Sequence, residues 1–179
     1  MGIPLFFKTI TETYDDDILV DVEDIFQNHG LFIDMNCAIH PCCRRVLDDL
    51  YTHKLKSKYE KKMIIELKSY LKKIIDIANP SFIYMAIDGV APCSKMAQQR
   101  LRRFKTVLEK KEHSKIKKSL NISVNDESWD TNAISPGTPF MIYLAKELRK
   151  YIATDPIFKD KTVLFSDSEE PGEGEHKIL

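Results

Sequence analysis

Short apolar runs alternate along the chain with longer segments whose apolar residues recur at helical spacing. Leu31-Phe-Ile33, Phe82-Ile-Tyr-Met-Ala-Ile87 and Thr162-Val-Leu-Phe165 are continuous apolar runs of strand length. From Met63 to Ile77 the apolar residues fall on one helix face and lysines on the other, and Asn79-Pro80 ends the pattern. Strands that alternate with helices are typical of a parallel sheet. We therefore predict an α/β fold in which helices flank a mainly parallel sheet.

Two further helices are predicted in the second half of the chain. One begins near Ser94 and runs through a basic segment, and Asn121 to Asp130 then has the composition of a loop. The other follows Thr138, a plausible N-cap, and begins with Pro139, a residue favoured at the first helical position. Asp155-Pro156 ends it.

Acidic residues follow each predicted strand. Asp34 and Asp88 come directly after the first and second runs, and Glu173 and Glu175 lie shortly after the third. Ligands of such sheets collect beyond the carboxyl ends of the strands. Carboxylates without His or Cys partners suit hard cations such as Mg²⁺ or Mn²⁺. For both glutamates to face one site, their segment must be extended or turned, and the glycines around them allow this.

Charge is distributed unevenly in a chain of zero net charge. Residues 95–118 carry ten bases and two acids, whereas residues 1–34 carry eight acids and one base. Such a cationic block suggests contact with a polyanion. On a helical wheel, Lys95, Gln99, Arg102 and Arg103 share one face. The opposite side carries an apolar stripe of Ala97, Leu101, Phe104 and Leu108, which we expect to face the core.

The polar face of this helix has the chemistry of a phosphate site. Arginine pairs with phosphate through two parallel hydrogen bonds, lysine adds a point charge, and glutamine donates a neutral hydrogen bond. The helix begins within seven residues of Asp88. A cation-binding acidic cluster beside a phosphate-binding face predicts an enzyme that cleaves phosphodiester bonds.

These segments, taken in order, resemble the N-terminal catalytic region of the XRN family of 5′→3′ exoribonucleases. The matching segments are Met1-Gly-Ile-Pro-x-Phe-Phe7, Phe32-Ile-Asp-Met-Asn36, Ile39-His-Pro-Cys42, Tyr84-Met-Ala-Ile-Asp-Gly-Val-Ala-Pro92, Lys95-Met96, Gln98-Gln-Arg100, Arg102-Arg-Phe104, Asp130-Thr-Asn132, Ser135-Pro-Gly-Thr138 and Pro171-Gly-Glu-Gly-Glu-His-Lys-Ile178. The resemblance covers nearly the whole chain and implies that residues 1–179 are the N-terminal part of a catalytic domain with the PIN-like 5′-nuclease fold.

The resemblance implies a magnesium-dependent enzyme that degrades single-stranded RNA with a 5′ monophosphate into mononucleotides. Asp34, Asp88, Glu173 and Glu175 match the family's metal-binding acids. Lys95, Gln99, Arg102 and Arg103 match its pocket for the 5′ phosphate, and His40 matches the residue that stacks on the first base. Cys93 stands where the family usually has arginine, so one cation beside the pocket is missing.

The family's remaining metal-binding aspartates and the aromatic partner of His40 lie beyond Leu179. We therefore expect the 179 residues to hold the first half of an active site, with the remainder of the domain supplied by downstream sequence. Alone, the chain is expected to bind metal and phosphate but to cleave poorly.

Three other functions stay open on the sequence. A flap endonuclease shares the Gly-Glu-Gly-Glu turn and strand-end aspartates, and a non-catalytic RNA-binding fragment would need only the basic helix. A haloacid-dehalogenase-like phosphatase fits less well, because it needs a second aspartate where Asn36 stands.

The location expected from the sequence is intracellular, in the cytoplasm or the nucleus, with the cytoplasm preferred. The four cysteines form no C-x-x-C pair, which fits reduced thiols. The first residues lack the pattern of a signal peptide, and no apolar run reaches the roughly 18 residues that a bilayer span needs. We therefore expect no membrane partner.

Overall fold

A parallel sheet lies at the centre of the fold. The computed structural model describes residues 5–14, 30–49, 56–121 and 129–179. In chain order the elements are α1 (Phe6–Thr13), β1 (Gly30–Asp34), α2 (Met35–Asp49), α3 (Lys56–Ala78), β2 (Phe82–Ala86), α4 (Cys93–Ser119), α5 (Pro139–Thr154), β3 (Thr162–Ser166) and α6 (Gly174–Ile178). Within the described residues the strands form one sheet in the order β1-β2-β3, and both pairings are parallel. The predicted α/β fold with a mainly parallel sheet flanked by helices is confirmed.

One face of the sheet packs on the hydrophobic core. Ile83 and Met85 of β2 are fully buried, and they pack with apolar residues from α2, α3 and α5. The other face follows the strict alternation of a strand. It carries Phe32, Tyr84 and Leu164 in one register row, with Phe32 and Leu164 about half exposed.

The helix starts match the sequence predictions where the structure describes them. Thr138 caps α5 by accepting a hydrogen bond from the backbone N–H of Met141. The predicted loop from Asn121 to Asp130 lies mostly outside the described residues. Among the described helices, none has the length and apolarity that a bilayer crossing requires.

The apolar stripe of α4 does not face the core, so that prediction is wrong. Leu101 is 70% exposed, Phe104 is 64% exposed, and α4 has no buried residue. The partly buried positions of this helix are polar, including Lys95, Gln99 and Thr106. Lys95 pairs with Glu173 at the sheet edge, whereas Arg102 and Arg103 are exposed, as is the apolar stripe.

Backbone hydrogen bonds join the loops at the carboxyl edge of the sheet. The N–H of Gly89 donates to the carbonyl of Gly172 (2.8 Å), and the N–H of Gly172 donates to the carbonyl of Val90 (3.0 Å). The helix α6 then packs against the ends of β1 and β2. The segment that carries Glu173 and Glu175 is therefore fixed beside the segment that carries Asp88.

Candidate active site

The four predicted acidic residues lie at the same edge of the sheet. Asp34 is the last residue of β1, and Asp88 lies two residues after β2. Glu173 immediately precedes α6, and Glu175 is in its first turn. Because α6 packs on the ends of β1 and β2, residues from distant parts of the chain meet here.

Gly174 fills the space between the two aspartates. Its backbone N–H donates to Oδ1 of Asp88 at 2.6 Å. A Cβ at this position would lie 2.8 Å from Oδ1 of Asp34, closer than such contacts occur, so any side chain here would have to displace its neighbours. Just before it, Gly172 has φ +108° and Glu173 is extended. The backbone is therefore turned here, as the sequence required for both glutamates to face one site.

The Cys37 thiol, near the start of α2, lies among the predicted carboxylates, and its pKa is raised. Its Sγ donates to Oδ2 of Asp34 at 3.3 Å. Burial raises the pKa of Cys37, as do this hydrogen bond and the negative charges of Asp34, Asp88 and Glu175. Three of the four predicted carboxylates are therefore close enough to act on one side chain.

The fourth carboxylate, Glu173, is turned toward Lys95. Glu173 is only 7% exposed, and its Oε1 lies 3.2 Å from Nζ of Lys95. Nδ1 of His176 lies 3.7 Å from the other oxygen. Lys95, predicted for the phosphate site, thus neutralises a predicted metal ligand.

The donor types at this edge fit a hard divalent cation, but their arrangement does not enclose one. Within the described ranges, no group of three or more His, Cys, Asp or Glu side chains is placed to hold a metal ion. Oδ1 of Asn36 is buried beside Asp34 and accepts no hydrogen bond from any described residue. The oxygen donors therefore suit a hard divalent cation, but the Glu173 carboxylate is paired with the ammonium group of Lys95.

A cavity of about 680 Å³ brings the remaining predicted residues together. His40 reaches it from α2, and Gln99, Arg102 and Arg103 reach it from α4. Asp88, one of the four acidic residues at the sheet edge, also lines the cavity. The cationic face of one helix and the histidine of another thus share one space next to the strand-end carboxylates.

His40 is biased toward its neutral form. Burial lowers its pKa from the usual 6.5, and the positive charges of Arg44 and Arg102 lower it further. The negative charges of Asp88 and Asp34 act in the opposite direction but are weaker. At neutral pH the ring is therefore an uncharged aromatic surface.

Other cavity residues were not predicted from the sequence. Arg44 lines it from α2, and Thr131, Asn132 and Ser135 line it from the segment before α5. Arg44 follows His40 by four residues, so a helical wheel of α2 would have placed the two on one face. The polar residues before α5 stand in a segment without periodicity, which gave no such signal.

A lysine outside the predicted site positions α6. Nζ of Lys177 donates to the carbonyls of Ile87 and Asp167, both at 2.8 Å. Asp167 is itself buried and its carboxylate accepts from Arg149 at 2.6 Å. These bonds join α6 to the ends of β2 and β3.

The family model described as the XRN 5'-3' exonuclease N-terminus matches residues 1–179. The chain belongs to this family. The acidic residues at the sheet edge and the basic helix therefore lie within an XRN N-terminal region. The α/β architecture is consistent with a PIN-like fold.

Relatives in fungi and in a vertebrate are named 5'-3' exoribonuclease 2. The chain is 36% identical to 5'-3' exoribonuclease 2 of Debaryomyces hansenii, with all of this chain and 20% of that protein covered. It is 36% identical to the Gallus gallus protein of that name, with all of this chain and 22% of that protein covered. For Cryptococcus neoformans the identity is 38%, over 86% of this chain and 15% of the protein. The chain thus spans about a fifth of the length of these XRN relatives.

Proposed function

We propose that this chain provides the 5′-phosphate pocket and the first acidic ligands of a 5′→3′ exoribonuclease. The substrate is single-stranded RNA with a 5′ monophosphate, and the products are mononucleotides. The observation that carries the proposal is the shared cavity, in which His40, Gln99, Arg102 and Arg103 lie beside Asp88.

The cavity supports terminal-phosphate binding through its donors. Arg102 and Arg103 offer guanidinium groups, which stay charged and match phosphate oxygens, and Gln99 adds an amide donor. The neutral ring of His40 offers a surface on which a base stacks, since base stacking on aromatic side chains is typical of single-strand recognition. A capped end leaves no free monophosphate for the arginines to bind.

The acidic edge supports dependence on a divalent cation, with Mg²⁺ proposed and Mn²⁺ as the substitute. Asp34, Asp88, Glu173 and Glu175 are the proposed ligands. A bound cation in such a site activates water and stabilises the leaving oxygen. The chain's own residues hold the RNA end so that its first phosphodiester lies next to this edge.

The reaction is tested on the natural full-length polypeptide with four substrates: 5′-monophosphate RNA, 5′-hydroxyl RNA, capped RNA and a 5′-flap DNA. We expect mononucleotide release from the monophosphate RNA alone, with Mg²⁺ present and EDTA absent. Cleavage at the base of the flap would favour the endonuclease. Binding of the RNA without nucleotide release would favour a non-catalytic RNA-binding protein.

The pocket is tested separately with a pair of variants on α4. Arg102→Ala should reduce the preference for monophosphate over hydroxyl ends by about tenfold, because one charged contact to phosphate is lost. Lys111→Ala is the control, since Lys111 lies about 180° from Arg102 on the helix and is exposed. An unchanged preference in Arg102→Ala contradicts the pocket.

A further inference from the structure

Lys177 reaches from α6 to the ends of two strands. It follows Glu175 by two residues, and its Nζ donates to the carbonyls of Ile87 and Asp167, both at 2.8 Å. Its aliphatic chain runs along the turn before α6, because a Cβ on Gly172 would lie 3.7 Å from Cγ of Lys177 and 3.9 Å from Cε. The side chain therefore packs against the turn that carries the two glutamates, with its charged end at the sheet.

The two carbonyls lie just beyond the last paired residues of β2 and β3. These strands pair in parallel as far as Ala86 and Ser166. The N–H of Ile87 adds one more hydrogen bond, to the carbonyl of Ser166 at 2.9 Å. Lys177 then supplies the donors for the next carbonyl on each segment. Its side chain thus extends the connection between β2 and β3 into the edge where the acidic residues lie.

The start of α6 holds the Asp88 segment at two points. Lys177 binds the carbonyl of Ile87, the residue directly before Asp88. The backbone N–H of Gly174 binds the carboxylate itself, at Oδ1 of Asp88. Burial lowers the pKa of Lys177, and the negative charge of Asp88 is among those that oppose this, so the ammonium group lies near the carboxylate. One contact fixes the main chain and the other fixes the carboxylate.

The two lysines at this edge act on it in different ways. Lys95 pairs with a carboxylate, that of Glu173. The hydrogen bonds of Lys177 go instead to two backbone carbonyls. Lys177 therefore holds the segment without taking the place of a cation on a carboxylate.

We propose that Lys177 is a positioning residue of the reaction, which holds the main chain before Asp88 against α6 and thereby sets the affinity of the acidic edge for its divalent cation. This inference rests on the proposed function. The Asp88 carboxylate and the glutamates at the start of α6 come from distant parts of the chain, so their spacing depends on how α6 is fixed to the strand ends. Partners that orient metal ligands without touching the metal change its affinity by about 10- to 100-fold when they are removed.

Charge and position predict opposite effects of removing this lysine. A positive charge near carboxylates repels a divalent cation, so loss of the charge alone would strengthen cation binding. Loss of the two hydrogen bonds frees the Asp88 segment from α6 and would weaken cation binding. We expect the second effect to be larger, because the charge of Asp88 raises the pKa of Lys177 less than the charges of Glu170 and Asp167 do. The sign of the change in cation affinity therefore distinguishes the two roles.

The test compares Lys177→Met with the matched control Lys161→Met, both as full-length polypeptides. Nζ of Lys161 donates to Oδ1 of Asn79 at 3.1 Å and to the carbonyl of Pro80 at 3.0 Å. Lys161 thus joins the segments of β2 and β3 at the opposite edge of the sheet, away from the acidic residues. Both variants lose two hydrogen bonds of a lysine, so both should melt at a lower temperature than the wild type.

Cation binding and phosphate binding separate the two variants. Mn²⁺ binding is measured without RNA from the EPR signal of free Mn²⁺, and AMP binding is measured in EDTA. In Lys177→Met the Mn²⁺ dissociation constant should rise by about tenfold. Its AMP dissociation constant should stay at the wild-type value, because the cavity arginines of the pocket come from α4. In Lys161→Met both constants should match those of the wild type.

Lys177→Arg keeps the charge on a group of different shape, so its Mn²⁺ dissociation constant should rise less, by about threefold. If Lys177→Met does not fold, a wild-type Mn²⁺ constant in Lys177→Arg overturns the inference.

An unchanged Mn²⁺ constant in a folded Lys177→Met overturns the inference, because the lysine would then serve stability alone. A lower constant also overturns it, since tighter binding would trace the effect to charge. Equal rises in Lys177→Met and Lys161→Met overturn it as a general effect of lost stability. A wild type that binds no Mn²⁺ contradicts the proposed function itself. A wild type that binds Mn²⁺ and releases nucleotides, beside a Lys177→Met protein with the same Mn²⁺ constant, contradicts this inference alone.

Discussion

The backbone N–H of Gly174 donates a hydrogen bond to Oδ1 of Asp88, with 2.6 Å between the two heavy atoms. The same glycine leaves no room for a side chain against Oδ1 of Asp34. A single backbone unit at the start of α6 therefore contacts the two strand-end aspartates. The position of α6 fixes how these carboxylates are held.

Gly174→Ala should displace the acidic edge. The new Cβ would lie 2.8 Å from Oδ1 of Asp34 and 3.1 Å from the carbonyl oxygen of Ala86, so the Asp34 carboxylate, α6 or β1 must shift. We expect a loss of about 1–3 kcal/mol in the free energy of unfolding, as for overpacked sites. Nucleotide release should slow by about 100-fold, because a shift on the order of 1 Å has effects of that size on catalysis.

Phosphate binding provides the internal control for this variant. AMP affinity in EDTA should stay at the wild-type value, because Gln99, Arg102 and Arg103 come from α4 and not from the displaced segment. A Gly174→Ala protein that keeps wild-type nucleotide release would show that the close approach of Gly174 to Asp34 has no part in the reaction.

In Lys95→Met the thermal stability should depend more strongly on Mg²⁺ than it does in the wild type. Lys95 pairs with the buried Glu173 at 3.2 Å, and its removal leaves that carboxylate without its cation. We expect a loss of about 1–2 kcal/mol in the free energy of unfolding, less than the roughly 3–5 kcal/mol for a fully buried pair, because Lys95 is partly exposed. Mg²⁺ should then raise the melting temperature of Lys95→Met more than that of the wild type, because the ion replaces the missing charge.

The matched control is Lys105→Met on the same helix. Lys105 pairs with Glu109 at 3.8 Å in an exposed pair, which contributes little to stability. Thermal melts of the three proteins with and without Mg²⁺ give the comparison. Equal Mg²⁺-induced shifts in wild type and Lys95→Met would mean that the lysine and the cation do not share Glu173.

The sheet and its acidic edge were predictable because they follow from local pattern. The apolar runs that end at Asp34 and Asp88 became β1 and β2, and parallel pairing brings the carboxyl ends of strands to one edge. The prediction needed only the strand period and the position of the acids. The turned backbone around Glu173 followed in the same way from the neighbouring glycines.

The partners of individual side chains could not be predicted, since they depend on how the helices are oriented. A helical wheel of α4 separates its polar and apolar faces but does not show which face turns inward. In the structure Lys95 and Gln99 are partly buried, and Leu101 is exposed. The pair between Lys95 and Glu173 joins residues 78 positions apart. Arg44 enters the cavity only because α2 and α4 approach each other.

The titration of His40 should report the cations on both sides of it. Its pKa lies below 6.5 because of burial and of Arg44 and Arg102. The folded protein therefore binds fewer protons at this site than the unfolded chain does, and stability falls as pH falls from 6.5 through the folded pKa. Imidazole proton shifts followed by NMR should give a pKa below 6.5 in the wild type and a higher one in Arg44→Gln.

Arg45→Gln serves as the control for His40, because it removes an equal charge one position away and outside the cavity. Its His40 titration should match that of the wild type. Equal upward shifts in both arginine variants would indicate a general effect of net charge, and would remove the argument that Arg44 faces the ring.

Asp167 should stabilise the α6 side of the site in a pH-dependent way. Burial alone would raise the pKa of Asp167, but the backbone N–H of Glu169 and the guanidinium of Arg149 outweigh burial and lower it below 3.8. The stabilisation is therefore present above the unfolded pKa and is lost as pH falls through the folded pKa. Asp167→Asn should lower the free energy of unfolding by about 1–3 kcal/mol at pH 7, because a charged hydrogen bond to Arg149 is lost.

Urea unfolding at pH 7, 4 and 3 provides the measurement, with Asp48→Asn as the matched control because Asp48 is exposed on α2. The difference between wild type and Asp167→Asn should shrink as the pH falls, because protonation of the wild-type carboxyl removes the same charge that the variant lacks. The Asp48→Asn protein should stay within about 0.5 kcal/mol of the wild type at pH 7. A difference for Asp167→Asn that is the same at all three pH values would show that the side chain stabilises the site by shape and not by charge.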